Sequence, residues 1–201
     1  MANTRINHLK ELSNSDYKIA EDQPDINNWK IVDGTGKRVG KVKDLLFDEP
    51  AKRVRYIITD LKDGELLKED RRVLIPIGQA RLNRENERVV VASITREHIT
   101  AMPPYKDVDS LTQEDEYAIR NSISGAGATA AGTGAYNRET FYEHEDFDED
   151  RFYNENFESG RTTGNKNKID VIEEDVEVGK REVETGGARV TSRIVERPVE
   201  E

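Results

Sequence analysis

The chain has 201 residues, of which 34% are hydrophobic and 36% charged, and its formal net charge at pH 7 is −10. This hydrophobic fraction is below the roughly 45–50% of an average globular protein, so we expect a small folded domain joined to long solvated segments. The absence of cysteine excludes disulfides and thiolate chemistry, and no run of residues approaches the ~20 apolar positions of a membrane span or resembles a signal peptide.

The acidity is concentrated in the middle of the chain. Residues 1–106 contain 20 Lys and Arg against 17 Asp and Glu, residues 107–160 contain 3 against 14, and residues 161–201 contain 8 against 10. An acidic region of this size repels nucleic acid and anionic lipid, because both are bound through Lys and Arg that neutralise phosphate charge. We therefore expect a cytoplasmic protein with no nucleic-acid partner and no membrane span.

Residues 1–28 are predicted to form an N-terminal arm. A short helix from Ile6 to Leu12 is indicated before a polar breaker cluster, and a brief alternation at Tyr17 and Ile19 follows. We expect this arm to pack on the edge of the domain that follows it.

Residues 29–106 alternate between short apolar strands and turn signals. A strand from Trp29 ends in a glycine turn at 33–36, and a second strand at 37–49 carries apolar residues on both faces near its end, as when a strand bends at a barrel corner. Next, Val54, Tyr56 and Ile58 alternate with polar residues, so Tyr56 and Ile58 are predicted to lie in the core. The remaining elements are short: an edge strand at 73–77, a hairpin at 79–91, and a helix that Thr95 caps and Pro103 stops. This pattern predicts a mainly β protein built on a small antiparallel β-barrel with short helices.

The region after residue 106 is predicted to hold a helix, a linker and a hairpin. Residues 107–123 have the capping and acidic first turn of a helix. Residues 124–167 begin rich in Gly and Ala and continue acidic with interleaved aromatics, which predicts a flexible acidic linker, disordered or transiently helical. From 168 to 201, alternation around the Gly186-Gly187 turn predicts a C-terminal β-hairpin, which must pack on something, oligomerise or stay partly open.

The candidate sites for cofactors and catalysis fail on spacing. The glycines at 34, 36 and 40 lie between strands, whereas a phosphate loop requires a following helix. No Ser, Thr or Lys lies in a recognisable nucleophile motif. We predict no catalytic residue, no cofactor and no enzymatic activity.

The three histidines are too scattered to form a metal pair. Asp146, Asp148 and Asp150 match the opening of a calcium loop, but Arg151 stands where glycine is needed and Phe157 where a bidentate Glu is needed. These carboxylates are therefore predicted to be a weak cation sink at most.

Aromatic residues interleaved with acids form the most informative surface. Such residues could dock into a groove on a partner, could dock back onto the barrel, or could belong to a solvated spacer. The candidate docking residues are Phe141, Tyr142, Phe147, Phe152, Tyr153 and Phe157.

The segment from about Trp29 to Tyr105 resembles a PRC-barrel domain, the small β-barrel of the cytoplasmic domain of the photosynthetic reaction centre H subunit. The resemblance rests on ordered motifs: Val32-Asp33-Gly34, Val39-Gly40-Lys41-Val42, Lys43 to Asp48, Val54 to Ile58, Val73 to Gly78, and Pro103-Pro104-Tyr105. Residues 168–201, through Val178-Gly179-Lys180 and Arg193 to Pro198, resemble the opening repeat of a C-terminal domain of unknown function from bacterial stress-response-type proteins.

The PRC-barrel resemblance implies protein binding. The leading hypothesis is a non-enzymatic cytoplasmic adaptor with a stress-related role that binds a protein partner through its barrel. An alternative is a reaction-centre H-like or ribosome-assembly accessory factor. A third hypothesis, ranked lower, is a barrel that binds a small ligand or metal.

Overall fold

The computed structural model describes residues 4–19, 23–124, 136–153 and 171–173. The strands in these ranges are β1 (Leu9–Glu11), β2 (Tyr17–Ile19), β3 (Lys30–Asp33), β4 (Arg38–Asp48), β5 (Arg53–Asp60), β6 (Arg72–Pro76), β7 (Arg81–Asn83), β8 (Arg88–Val91) and β9 (Val171–Glu173). The α-helices there are α1 (Arg96–Ala101), α2 (Gln113–Ser124), α3 (Arg138–Tyr142) and α4 (Glu149–Tyr153). Short 3-10 turns lie at Leu12–Asn14, Ile77–Gln79, Val108–Ser110 and Glu145–Phe147. The fold is mainly β, with few and short helices.

One sheet contains most of the strands, in the order β6-β5-β4-β3-β8-β7, and β1 also pairs with β4. These pairs are antiparallel except β3 with β8, which run parallel. The sheet is therefore mixed rather than antiparallel as predicted, because the long connection out of β3 brings β8 back beside it in the same direction. Among the described residues no strand pairing joins β6 to β7, so the sheet is open where a barrel would close.

The predicted C-terminal hairpin lies almost wholly outside the described residues. The part that is described, β9, pairs antiparallel with β2 of the N-terminal arm. The Gly- and Ala-rich stretch at 125–135 and residues 154–170 also lie outside the described ranges.

The strand β4 spans 11 residues and is covered on both faces near its end. Leu45, Leu46 and Phe47 are all buried. The register against β5 shifts between Val42 and Asp44 and again between Leu46 and Phe47. Such β-bulges bend a strand and increase its twist, which explains how adjacent residues can all face the core.

The N-terminal arm packs on the sheet, but not as the predicted helix. Within the predicted helix, Leu9–Glu11 form β1 and Leu12 begins a 3-10 turn. Leu9 lies opposite Asp48 of β4, and Ile6, Leu9 and Leu12 are all buried. The helical prediction is wrong here because sheet pairing and burial in the main core outweigh local propensity.

The strand β5 runs through the centre of the core. Tyr56 and Ile58 are buried as predicted, but the intervening Ile57 is buried too. The strand is covered on both faces rather than half-buried, because residues beyond α2 also pack against it. Phe147, for example, lies edge-on to the Tyr56 ring with 5.3 Å between the ring centroids.

The burial of Ile58 gives a direct test of the fold. We expect Ile58→Asp to unfold the domain, since an unpaired buried charge costs several kcal/mol against a total stability of about 5–15 kcal/mol. Thermal unfolding followed by circular dichroism measures the effect, with Ser93→Asp at an exposed turn position as the control. An unchanged melting temperature for Ile58→Asp would show that this side chain is not in the core.

Candidate functional site

The two end strands of the sheet are consecutive in sequence and meet at a corner. The strand β6 ends at Pro76, the 3-10 turn Ile77–Gln79 follows, and β7 begins at Arg81. Residues 136–153, here called the docked segment, pack against this turn through Glu145–Phe147 and α4, and α4 also contacts β5 and β7. We call this turn, with the adjoining residues of β5 and β7, the corner surface.

Gly78 sets how closely the docked segment approaches the corner surface. A Cβ atom placed on Gly78 would lie 2.3 Å from the backbone oxygen of Glu145 and 2.8 Å from that of Asp146. Gly78 does not have a positive φ, so its own backbone conformation would accept a side chain. The absence of a side chain at Gly78 is therefore required only by the segment that lies against it. Gln79 adds a hydrogen bond, since its Nε2 donates to Asp146 Oδ1 at 2.6 Å.

Aromatic side chains supply most of the apolar contact. Of the six aromatics singled out from the sequence, Phe141, Tyr142, Phe147 and Phe152 are buried in the core of the same chain. Tyr153 is half-buried and Phe157 lies outside the described residues. The structure thus places four of them in the protein's own core, and their contact with a partner stays a prediction.

A buried carboxylate anchors the start of the docked segment. Glu116 of α2 is fully buried and accepts hydrogen bonds from the hydroxyls of Tyr56 at 2.8 Å, Tyr136 at 2.6 Å and Tyr142 at 2.5 Å. Burial raises the pKa of Glu116, and the three hydrogen bonds act in the opposite direction. This cluster joins β5, α2 and the docked segment around one side chain.

An ionic contact lies next to this cluster. Asp48 of β4 is buried, 3.5 Å from Arg55 Nη2 and 3.6 Å from Arg138 Nη1. The Arg55 guanidinium carbon is also 4.4 Å from the centroid of the Tyr142 ring, a cation–π distance. One carboxylate on the sheet is thus shared between an arginine of β5 and an arginine of α3.

Glu149, the first residue of α4, is buried with only partial compensation of its charge. It is 1% exposed, and neither carboxylate oxygen has a hydrogen-bond partner. Burial raises the pKa of Glu149 to about 8, although the charges of Arg53 and Arg55 and the nearby Val54 backbone lower it. A buried acid with no hydrogen bond favours its protonated form, so this position weakens docking when it is ionised.

Asp146, Asp148 and Asp150, which are predicted to be a weak cation sink, do not form a metal cluster. Asp146 is buried and engaged by Gln79 and by His144, whose Nδ1 lies 2.8 Å from its Oδ2. Asp148 accepts a hydrogen bond from the backbone of Asp150. Within the described part of the chain, no group of three or more His, Cys, Asp or Glu side chains is placed to hold a metal ion.

A depression with a volume of about 260 Å³ lies between β6 and α2. Its polar residues serve local caps: Asp107 accepts from the Ser110 backbone, and Asp115 accepts from the backbone and hydroxyl of Thr112. The depression therefore presents few polar groups free to orient a small ligand.

Sequence and fold together define a β-rich domain with an acidic, aromatic segment packed on its open corner. Residues 20–99 match the family model of the PRC-barrel domain. The match covers β3 to β8 and most of α1, whereas the docked segment lies beyond it. No described helix is long and apolar enough to cross a membrane.

The contact at Gly78 predicts a specific way to release the docked segment. In Gly78→Ala the new methyl group would overlap the backbone of Glu145 and Asp146, and overpacking of this kind costs about 1–3 kcal/mol. We expect chymotrypsin to cleave the variant after Phe147 faster than the wild type, with the sheet still folded. Gly34→Ala is the matched control, because a Cβ there would meet only Ala92 at 3.4–3.5 Å. Equal cleavage of both variants would contradict a tight approach at Gly78.

The burial of Glu149 predicts a dependence of stability on pH. Because its pKa is about 8 in the folded protein against an ordinary value near 4.5, the folded state binds more protons between these values. The free energy of unfolding should therefore fall as the pH rises from about 4.5 to about 8. Glu116, whose pKa is also raised, contributes a change in the same direction.

Replacing Glu149 isolates its share of this dependence. Glu149→Gln should be more stable than the wild type by a few kcal/mol at pH 9 and by little near pH 4.5, because the amide carries no charge at either pH. Thermal unfolding at both pH values measures this, with the exposed Glu143→Gln of the same segment as control. A constant difference between wild type and Glu149→Gln across the range would mean that Glu149 is not buried in solution.

Proposed function

We propose that the protein is a non-enzymatic, cytoplasmic adaptor that binds a protein partner through the corner surface of its PRC-barrel domain. The observation that carries the proposal is that this surface already holds a peptide-like segment, remote in sequence and seated on Gly78. A surface that accepts such a segment from its own chain has the shape and chemistry to accept one from another protein.

The chemistry of the corner surface suits a peptide rather than a small molecule. It combines a glycine against which a backbone can lie, a side-chain amide at Gln79, and sites that bury phenylalanine rings. These are the usual components of peptide recognition, in which backbone contact supplies affinity and alternate side chains supply specificity. By contrast, no described group of acids or histidines is placed to bind a metal.

Charge supports the same proposal. Arg53, Arg55 and Arg81 lie on β5 and β7, and the residues packed against them come from the acidic part of the chain. Opposite charges on two partners steer their encounter and suppress wrong partners. A stress-related role for the protein rests on the resemblance of its C-terminal residues, most of which lie outside the described ranges.

A photo-crosslinking experiment tests the adaptor role. The full chain would carry a photoreactive residue at Gln79 on the corner surface, or at the exposed Ser93 between β8 and α1 as control. We expect crosslinking in cells from position 79 to capture a discrete protein that position 93 does not capture. Capture of no protein from position 79, with a metabolite or metal co-purifying with the chain, would favour a ligand-binding barrel instead.

A further inference from the structure

We propose that the partner contributes an acidic peptide with two phenylalanine-like residues five positions apart, and that this peptide replaces the docked segment on the corner surface. This inference rests on the proposed adaptor function and specifies its ligand. The docked segment is then a built-in competitor whose sequence shows what the surface binds.

Gly78 contacts backbone atoms of its occupant. The backbone oxygens of Glu145 and Asp146 approach Gly78, and every peptide carries such oxygens. The close approach therefore selects for an occupant of peptide nature without selecting its sequence. A second chain following the same path would make the same contact.

Two buried aromatic side chains select among peptides. Phe147 and Phe152 are 2% and 1% exposed, so the corner surface, together with Phe141 and Tyr142 of the occupant around Phe147, provides two buried aromatic sites. Between the backbone contact and these sites, Asp146 accepts a hydrogen bond from Gln79. The recognised pattern is thus an acid followed by an aromatic, with a second aromatic five positions later.

The docked segment leaves buried polar atoms without hydrogen bonds on the corner surface. Both oxygens of Glu149 and the Nε atom of Arg55 are buried without a hydrogen-bond partner. Burying unsatisfied polar groups opposes docking, so the segment is held less firmly than its apolar contacts alone would allow. A peptide with a neutral residue two positions after its first aromatic would avoid burying that charge and would displace the segment.

The charges that face Glu149 offset only part of the cost of its burial. Arg53 and Arg55 lie on the sheet side, and Asp150 follows Glu149 on α4 itself. On β7, Arg81 is occupied, since its Nη1 donates to the backbone oxygens of Gly78 and Ala80. The domain is thus positively charged on the side that faces Glu149, which attracts acidic peptides in general. For Glu149 itself, the cost of burial exceeds the attraction to these arginines.

Peptide binding to an emptied corner surface tests the proposal. The full chain carrying Phe147→Asp and Phe152→Asp should release residues 145–153 of its own segment from the corner surface and leave that surface intact. A fluorescent peptide of residues 136–153 should then bind this variant about tenfold or more tightly than it binds the wild type, as measured by anisotropy. The same peptide with Glu149→Gln should bind more tightly still at pH 8.

Adding a glycine substitution to the emptied chain locates the binding. Gly78→Ala should abolish peptide binding, whereas Gly34→Ala should leave it unchanged, since only the first places a methyl group in the path of the peptide backbone. Circular dichroism confirms that each variant is folded. If the double variant does not fold, Phe152→Ala alone serves with the same peptides.

Three results would overturn the proposal: no binding of either peptide to a folded emptied chain, binding that survives Gly78→Ala, or dimers formed by exchange of the segment between copies. The last would make a second copy of this chain the occupant. A protein captured from position 79 together with no peptide binding would leave the adaptor function standing and refute only the peptide as its ligand.

Discussion

The close approach between Gly78 and the backbone of Glu145 and Asp146 is the constraint on which the position of the docked segment depends. It brings the turn between β6 and β7 against the docked segment at the place where strand pairing stops. Peptide groups at such an edge need other partners, because buried unpaired backbone groups are costly. The docked segment therefore covers the corner at which the sheet, over the described residues, remains open.

Two buried glutamates at this interface show how context decides the effect of the same side chain. Glu116 accepts three tyrosine hydroxyls and thereby holds α2, β5 and the docked segment together. Glu149 accepts none and lies among positive charges that do not reach hydrogen-bonding geometry. A satisfied buried network fixes one arrangement, whereas an unsatisfied group weakens the arrangement that contains it. The two ends of the docked segment are thus held unequally, firmly near Tyr142 and loosely at α4.

Local sequence patterns predict many strands and turns of the domain, but not every strand pairing of its sheet. Thr95 caps α1 as expected, and Gly36 adopts the positive φ that a turn glycine permits. The parallel pairing of β3 with β8 and the strand at Leu9–Glu11 escaped prediction because both depend on contacts distant in sequence. The burial of Glu116 is predictable from its spacing, because it lies three and seven residues before Ile119 and Ile123, on the buried face of α2. The burial of Glu149 is not, since an acid within an acidic run gives no local indication of burial.

The composition of the docked segment accounts for its two roles. Four of its aromatics are buried while Glu143, Glu145, Asp148 and Asp150 remain exposed, so the same stretch is apolar toward the core and acidic toward water. A segment of this charge cannot bury enough apolar surface alone to offset the entropy of ordering, and it needs the corner surface in order to form its short helices. Because ordering and docking are then one event, part of the contact energy is spent on folding the segment, which leaves the bound state weaker than its area implies. This is the property that an occupant must have if another protein is to take its place.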